Sequence, residues 1–148
     1  MADDWTDHVH QVPLAWLLEP ENPSVRALTL TELLGGDVGD RDVLDARQMI
    51  ADGAAVESLL ADQHPDGYWS KPKRYFEKHT GTAWRWLLLH ELGFDPLHPQ
   101  MLKAADFLLD VAFNEGRGAF SSHVGSDPVP CYNGWLLWGL YRSGYGDH

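Results

Sequence analysis

The stretch Thr82-Ala-Trp84-Arg-Trp86-Leu-Leu-Leu89-His-Glu-Leu-Gly93-Phe94-Asp95 decides the fold, because the chain repeats it 51 residues later as Asn133-Gly-Trp135-Leu-Leu-Trp138-Gly-Leu140-Tyr-Arg-Ser-Gly144-Tyr145-Gly146. Trp84 falls on Trp135, Leu89 on Leu140, Gly93 on Gly144 and Phe94 on Tyr145. The same offset carries Gln63-x-x-x-Gly67-x-Trp69 onto Asn114-x-x-x-Gly118-x-Phe120. Upstream, Thr31-Glu-Leu-Leu34-Gly35 overlays Leu89-His-Glu-Leu92-Gly93 at an offset of 58, with Leu44, Ala46 and Ile50 over Leu102, Ala104 and Leu108. The longer offset reads as an insertion around Gly53. Self-similarity at a fixed period marks a repeat architecture.

Each unit reads as a short helix, a glycine stop, a second helix, and a Gln/Asn turn with a glycine and an aromatic. Pro23 at a first helical position after Asn22 predicts a helix over 23–34, stopped by Gly35-Gly36. Asp40 reads as the cap of the next helix, with Val43, Leu44, Ala46, Arg47 and Ile50 on one face. His64-Pro65-Asp66-Gly67 is a turn signal. Helices are expected over 82–92, from Pro99 onward with Leu102, Ala105, Leu108 and Leu109 at helical spacing, and over 132–142. The segment 114–130 reads as loop, and no segment reads as a strand. The expected class is all-α: α/α-hairpin repeats with units 24–79, 80–130 and an incomplete 131–148, preceded by an arm 1–23 with an apolar piece at 12–18.

Composition narrows the function. At 148 residues with 44% hydrophobic and 22% charged, the chain is globular. A net charge of −11 opposes a nucleic-acid partner, since a polyanion is repelled. No apolar run is long enough for a membrane span. The acidic start MADDWTDHVH lacks a signal-peptide pattern, so a cytoplasmic location is expected. The single cysteine, Cys131, excludes an internal disulfide. Seven tryptophans is a high count, and such rings suit cores, interfaces and apolar pockets alike.

The turn Gln63-His-Pro-Asp-Gly67-Tyr-Trp69 resembles the QW motif, Q-x(2–5)-G-x-W, of the squalene–hopene cyclase and protein prenyltransferase β-subunit superfamily. The second turn departs from it, with Asn114 and Phe120, and Ser58 stands where an aromatic usually precedes the glutamine. The resemblance runs from about Ser24 to the last residue. It implies a partial α/α toroid, in which Gln63, Gly67 and Trp69 are structural, and inner helices carrying Trp84, Trp86, Trp135 and Trp138 line an apolar cavity. A closed ring of five to six hairpins needs about twice this length. The resemblance therefore implies a fragment lacking a C-terminal half, a homodimer, or an open arc.

The family's chemistry is not visible in the residues. There is no D-x-D-D acid motif, and the acidic run 37–45 reads as a solvated, capped helix start. Asp3-Asp4-Trp-Thr-Asp7 fits D-D-x-x-D by coincidence. His123, Asp127 and Cys131 share a loop, but the prolines Pro128 and Pro130 and the wrong spacing argue against zinc. No metal or other cofactor is expected. His79, His90 and His98 have no ligand spacing, and His8 with His10 would chelate weakly. Cys131, at a helix N-terminus, is a candidate for reactivity. Lys71, Lys73, Arg74 and Lys78 gather four of eleven basic residues ahead of the helix at 82, a candidate anion site. Candidate ligand contacts are Trp84, Trp86, Trp135, Trp138, Tyr132, His123 and Cys131. The expected function is an isoprenoid-like or other apolar ligand bound without cyclase chemistry. The alternatives are half of an enzyme acting on an isoprenoid diphosphate, and a purely structural arc.

Overall fold

A computed structural model describes residues 13–123 and 125–147. The motif at Asp3–Asp7, and His8 with His10, lie outside the described residues. Among the described residues the protein is predominantly helical, with seven α-helices and one two-stranded ladder. No helix among them is long and apolar enough to cross a membrane. The chain forms two compact units, one ending at Ile50 and one beginning at Ala51.

In the first unit, α1 (Leu14–Leu17) and α2 (Pro23–Leu28) precede α3 (Arg41–Ala51). Pro23 opens α2 as its position requires. The single helix expected over 23–34 is instead α2 followed by a π-helical turn, Thr29–Leu33. The Leu34 N–H reaches Thr29 O at 3.0 Å, and the Gly36 N–H reaches Leu30 O at 2.8 Å. α3 buries Val43, Ala46 and Ile50, whereas Leu44 is 50% exposed. The carboxylate of Asp40 accepts from the Asp37 N–H at 3.0 Å.

The second unit holds α4 (Ala54–Leu60), α5 (Thr82–Glu91), α6 (Pro99–Ala112), β1 (Phe113–Asn114), β2 (Ala119–Phe120) and α7 (Pro130–Arg142). α5 packs against α4, α6 and α7. Its residues Trp86 and Leu89 form the core with Trp69, Tyr75, Met101, Leu108 and Leu136. The strand-free expectation fails at one place. Phe113 pairs with Phe120 and Asn114 with Ala119 in a two-rung antiparallel ladder around the second turn.

The repeat read from the sequence is also a repeat of backbone geometry. Gly35, Gly67, Gly93, Gly118 and Gly144, which carry both offsets, all have positive φ. After α5 the Phe94 N–H bonds Leu89 O at 3.0 Å, and after α7 the Tyr145 N–H bonds Leu140 O at 3.0 Å. These are matched Schellman-type ends that pair otherwise orphaned carbonyls. Each turn is then fastened to the next helix by the same residue pair. The Trp69 N–H donates to Thr82 Oγ1 at 3.0 Å. Fifty-one residues on, the Phe120 N–H donates to Asn133 Oδ1 at 2.7 Å.

Candidate functional site

In the turn motif Gly67 and Trp69 are buried, Gln63 is half-buried, and the contacts of all three are to the fold itself. Gln63 Nε2 donates to Gly67 O at 3.1 Å and to Gln100 O at 2.9 Å, so it joins the turn to the first turn of α6. A Cβ on Gly67 would sit 2.2 Å from the Lys103 carbonyl oxygen, so no side chain fits there. The Trp69 indole N–H donates to Ala61 O at 3.1 Å.

The four tryptophans of the repeat separate. Trp86 is fully buried, and its indole N–H donates to Met101 O at 3.1 Å. It is a core residue and lines none of the three pockets described below. Trp84 and Trp135, equivalent positions on α5 and α7, meet edge to face at 5.5 Å. They wall a pocket of about 280 Å³ with Leu87, Leu88, His79 and Glu91. Trp135 is 46% exposed, so the pocket opens to solvent. Trp138 faces a second, larger groove of about 740 Å³, shared with Phe113, Phe120, Leu137, Tyr141 and Tyr145. The guanidinium of Arg142 lies 5.2 Å over its ring.

α5 and α7 approach closely beside the first pocket. A Cβ on Gly139 would lie 2.6 Å from the Trp86 ring and 3.3 Å from His90. His90 is buried there, edge-on to Trp86 at 4.5 Å and to Trp138 at 5.6 Å. Its Nε2 lies 3.4 Å from Ser143 Oγ, and its Nδ1 has no hydrogen-bond partner among the described residues. Burial, and secondarily the Arg142 charge, lowers its pKa to about 4. His90 is therefore neutral near pH 7.

A third pocket, of about 350 Å³, is polar. It gathers Lys73 and Arg74 from the basic cluster with Ser122, His123 and Tyr132 from far along the chain. Lys71 and Lys78 are exposed and do not line it. Cys131 is exposed on the first turn of α7 and lines none of the three pockets described. His123 Nδ1 is 3.1 Å from Ser122 Oγ, and Asp127 is ion-paired with Arg117 at 2.7 Å. His79, Phe76 and Ser122 were not legible as site residues. They carry no motif, and only the fold brings them beside Trp84 and Tyr132. No family model, no curated protein and no solved structure matches the chain.

Proposed function

We propose that this is a helical-repeat domain of the α/α-toroid kind that binds an apolar, isoprenoid-like molecule between Trp84 and Trp135, without cyclase chemistry of its own. The observation that carries the reading is the meeting of two repeat-equivalent indoles, 5.5 Å apart, as walls of one apolar pocket. Concave sites lined by aromatic and aliphatic groups with few polar atoms suit apolar ligands. The toroid reading is supported by the neighbours of α5. It packs on α7, its own equivalent, and on α4 and α6, the second helices of successive units.

The test is titration of the full chain with farnesol, followed by tryptophan fluorescence, with a linear alkanol as comparison. Wild-type protein should saturate, and Trp135→Ala should weaken farnesol at least about tenfold, the order expected for losing an aromatic wall. Trp138→Ala should leave binding nearly unchanged. Equal loss in both variants, or no saturation, overturns the reading.

A second reading follows from α7. The α5 residues that face α7 (Trp84, Trp86 and His90) correspond by the offset of 51 to Trp135, Leu137 and Tyr141. All three are exposed, Tyr141 by 76%. We propose that a second copy of the chain covers this face as a homodimer. Sedimentation at micromolar concentration should give a dimer, and Leu137→Asp a monomer. A wild-type monomer overturns it.

A further inference from the structure

The polar pocket has a construction that the apolar-ligand reading does not use. Its two cationic side chains, Lys73 and Arg74, lie on a single 3₁₀ turn, Pro72–Arg74. His123 and Ser122 come from a loop almost fifty residues away. Tyr75 sews the two segments together. It is fully buried, and its hydroxyl donates to Ser121 O at 2.9 Å. Arg74 and Phe76 flank Tyr75 in sequence, and Ser122 follows Ser121. One buried hydrogen bond thus fixes the spacing between the cations and the Ser122–His123 pair.

The segment is also held at both ends in costly conformations. Ser70 and His79 bracket it with φ of 63° and 65°. Neither is glycine, and such residues persist where the surroundings enforce them. Gly81 supplies part of that enforcement, since a Cβ there would lie 2.6 Å from Tyr75 O. Phe76 stacks on Tyr132 at 4.1 Å, which ties the segment to the first turn of α7. The same segment that buries Tyr75 presents Lys73 and Arg74 exposed, in a chain of net charge −11. Glu77 also lines the pocket and holds Arg74 at 3.2 Å. A guanidinium has five N–H donors, so this pairing orients Arg74 and leaves donors available.

The geometry points to a binding site for a phosphate-class dianion, held by Lys73, Arg74 and the Ser122–His123 pair, with the Phe76–Tyr132 rings as an apolar wall. Two positive side chains and hydroxyl and imidazole donors match a tetrahedral dianion better than a planar monoanion. The net negative charge of the chain does not prevent this, because at physiological salt distant charges are screened beyond about 8 Å. The site stands independently of the pocket between Trp84 and Trp135.

The test is titration of the full chain with inorganic phosphate at constant ionic strength. Amide resonances of Arg74, Ser122 and His123 are followed by two-dimensional NMR. The shifts should saturate, with a Kd of roughly millimolar or below. Acetate should bind at least about tenfold more weakly. The double variant Lys73→Gln/Arg74→Gln, at exposed positions, should keep its circular dichroism and lose at least about tenfold in affinity. Lys71→Gln/Lys78→Gln carries the same charge change off the pocket and should retain binding, as should Trp135→Ala. Non-saturating shifts, acetate as tight as phosphate, or equal losses in the two lysine-containing variants would overturn the site.

Discussion

The two copies of the turn, 63–69 and 114–120, share a backbone and differ in how they are fastened. In the first copy the turn's own Gln and Trp side chains do the fastening. Gln63 reaches Gln100 O, and the Trp69 indole reaches Ala61 O. In the second copy the shorter Asn114 and the donor-free ring of Phe120 cannot make those bonds. There the fastening comes from a short ladder and from α7. Phe113 and Phe120 pair as β1 and β2, and Asn133 bonds both backbone groups of Phe120 as well as Val129 O at 3.0 Å. Thr82, its equivalent, accepts from the Trp69 N–H and lies a long 3.5 Å from Trp69 O. The comparison teaches that glycines and one helix-borne polar side chain set the repeat geometry. Gln and Trp are staples added to one copy.

The largest test of that view is Trp69→Ala. Trp69 is 1% exposed, so truncation removes a buried indole and should cost about 3–5 kcal/mol. Trp69→Phe, which converts the first copy to the second copy's aromatic, should cost far less. Ala61 O would still have Arg85, whose guanidinium lies 3.3 Å away. Urea unfolding of both variants checks the pair. Equal losses would make the indole N–H, and not the ring, the important part.

His90 tests the α5–α7 contact that both copies share. Its folded pKa, about 4, lies below the ordinary value of 6.5. The unfolded chain therefore takes up a proton first as pH falls through 6.5. Stability is then lost progressively down to about pH 4, where the folded form protonates too. The full loss is on the order of 3 kcal/mol. His90→Gln should show a flatter stability profile between pH 7 and 4 than wild type. Parallel profiles would remove His90 from the account.

Much of this organisation is legible in the sequence, because it rests on glycine and on spacing. The glycine stops end α5 and α7 where expected, and Pro23 and Pro99 open α2 and α6, whereas α7 starts at Pro130, two residues ahead of the expected Tyr132. What is not legible depends on partners distant in sequence. Of the face read on α3, Val43, Ala46 and Ile50 are buried, whereas Leu44 and Arg47 are exposed. The π turn at Thr29–Leu33 has no local signature. Thr82 and Asn133 share a position but no chemistry that alignment by residue type rewards. The polar pocket joins residues near 74 and 122 through the Tyr75 hydroxyl, a bond that no periodicity announces.

Asn133→Ala should next cost about 2 kcal/mol. It unpairs the N–H and C=O of buried Phe120, and buried orphan groups carry their full desolvation penalty. Thr82→Ala should cost less, since it removes one good bond and not three. Chemical denaturation midpoints give the order. A larger loss at Thr82 would mean that the first copy, despite its staples, depends more on this pair.

The smallest effect separates the staples themselves. Gln63 is half-buried and bonds two carbonyls, Gly67 O and Gln100 O. Its equivalent Asn114 makes its contacts through the backbone: its carbonyl accepts from the Arg117 N–H at 3.0 Å, and it pairs with Ala119. Gln63→Ala should therefore cost about 1 kcal/mol, the usual net worth of a hydrogen-bonded side chain that water can partly replace. Asn114→Ala should fall within about 0.5 kcal/mol of wild type, because the backbone contacts of this half-buried residue survive the substitution. The sharper readout is local. Amide hydrogen exchange at Lys103 and Ala104, against which Gly67 packs, should accelerate in Gln63→Ala. The matched amides of the second copy should not change in Asn114→Ala. If both substitutions are silent, Gln63 is no staple, and the first turn is held by Gly67, Trp69 and Thr82.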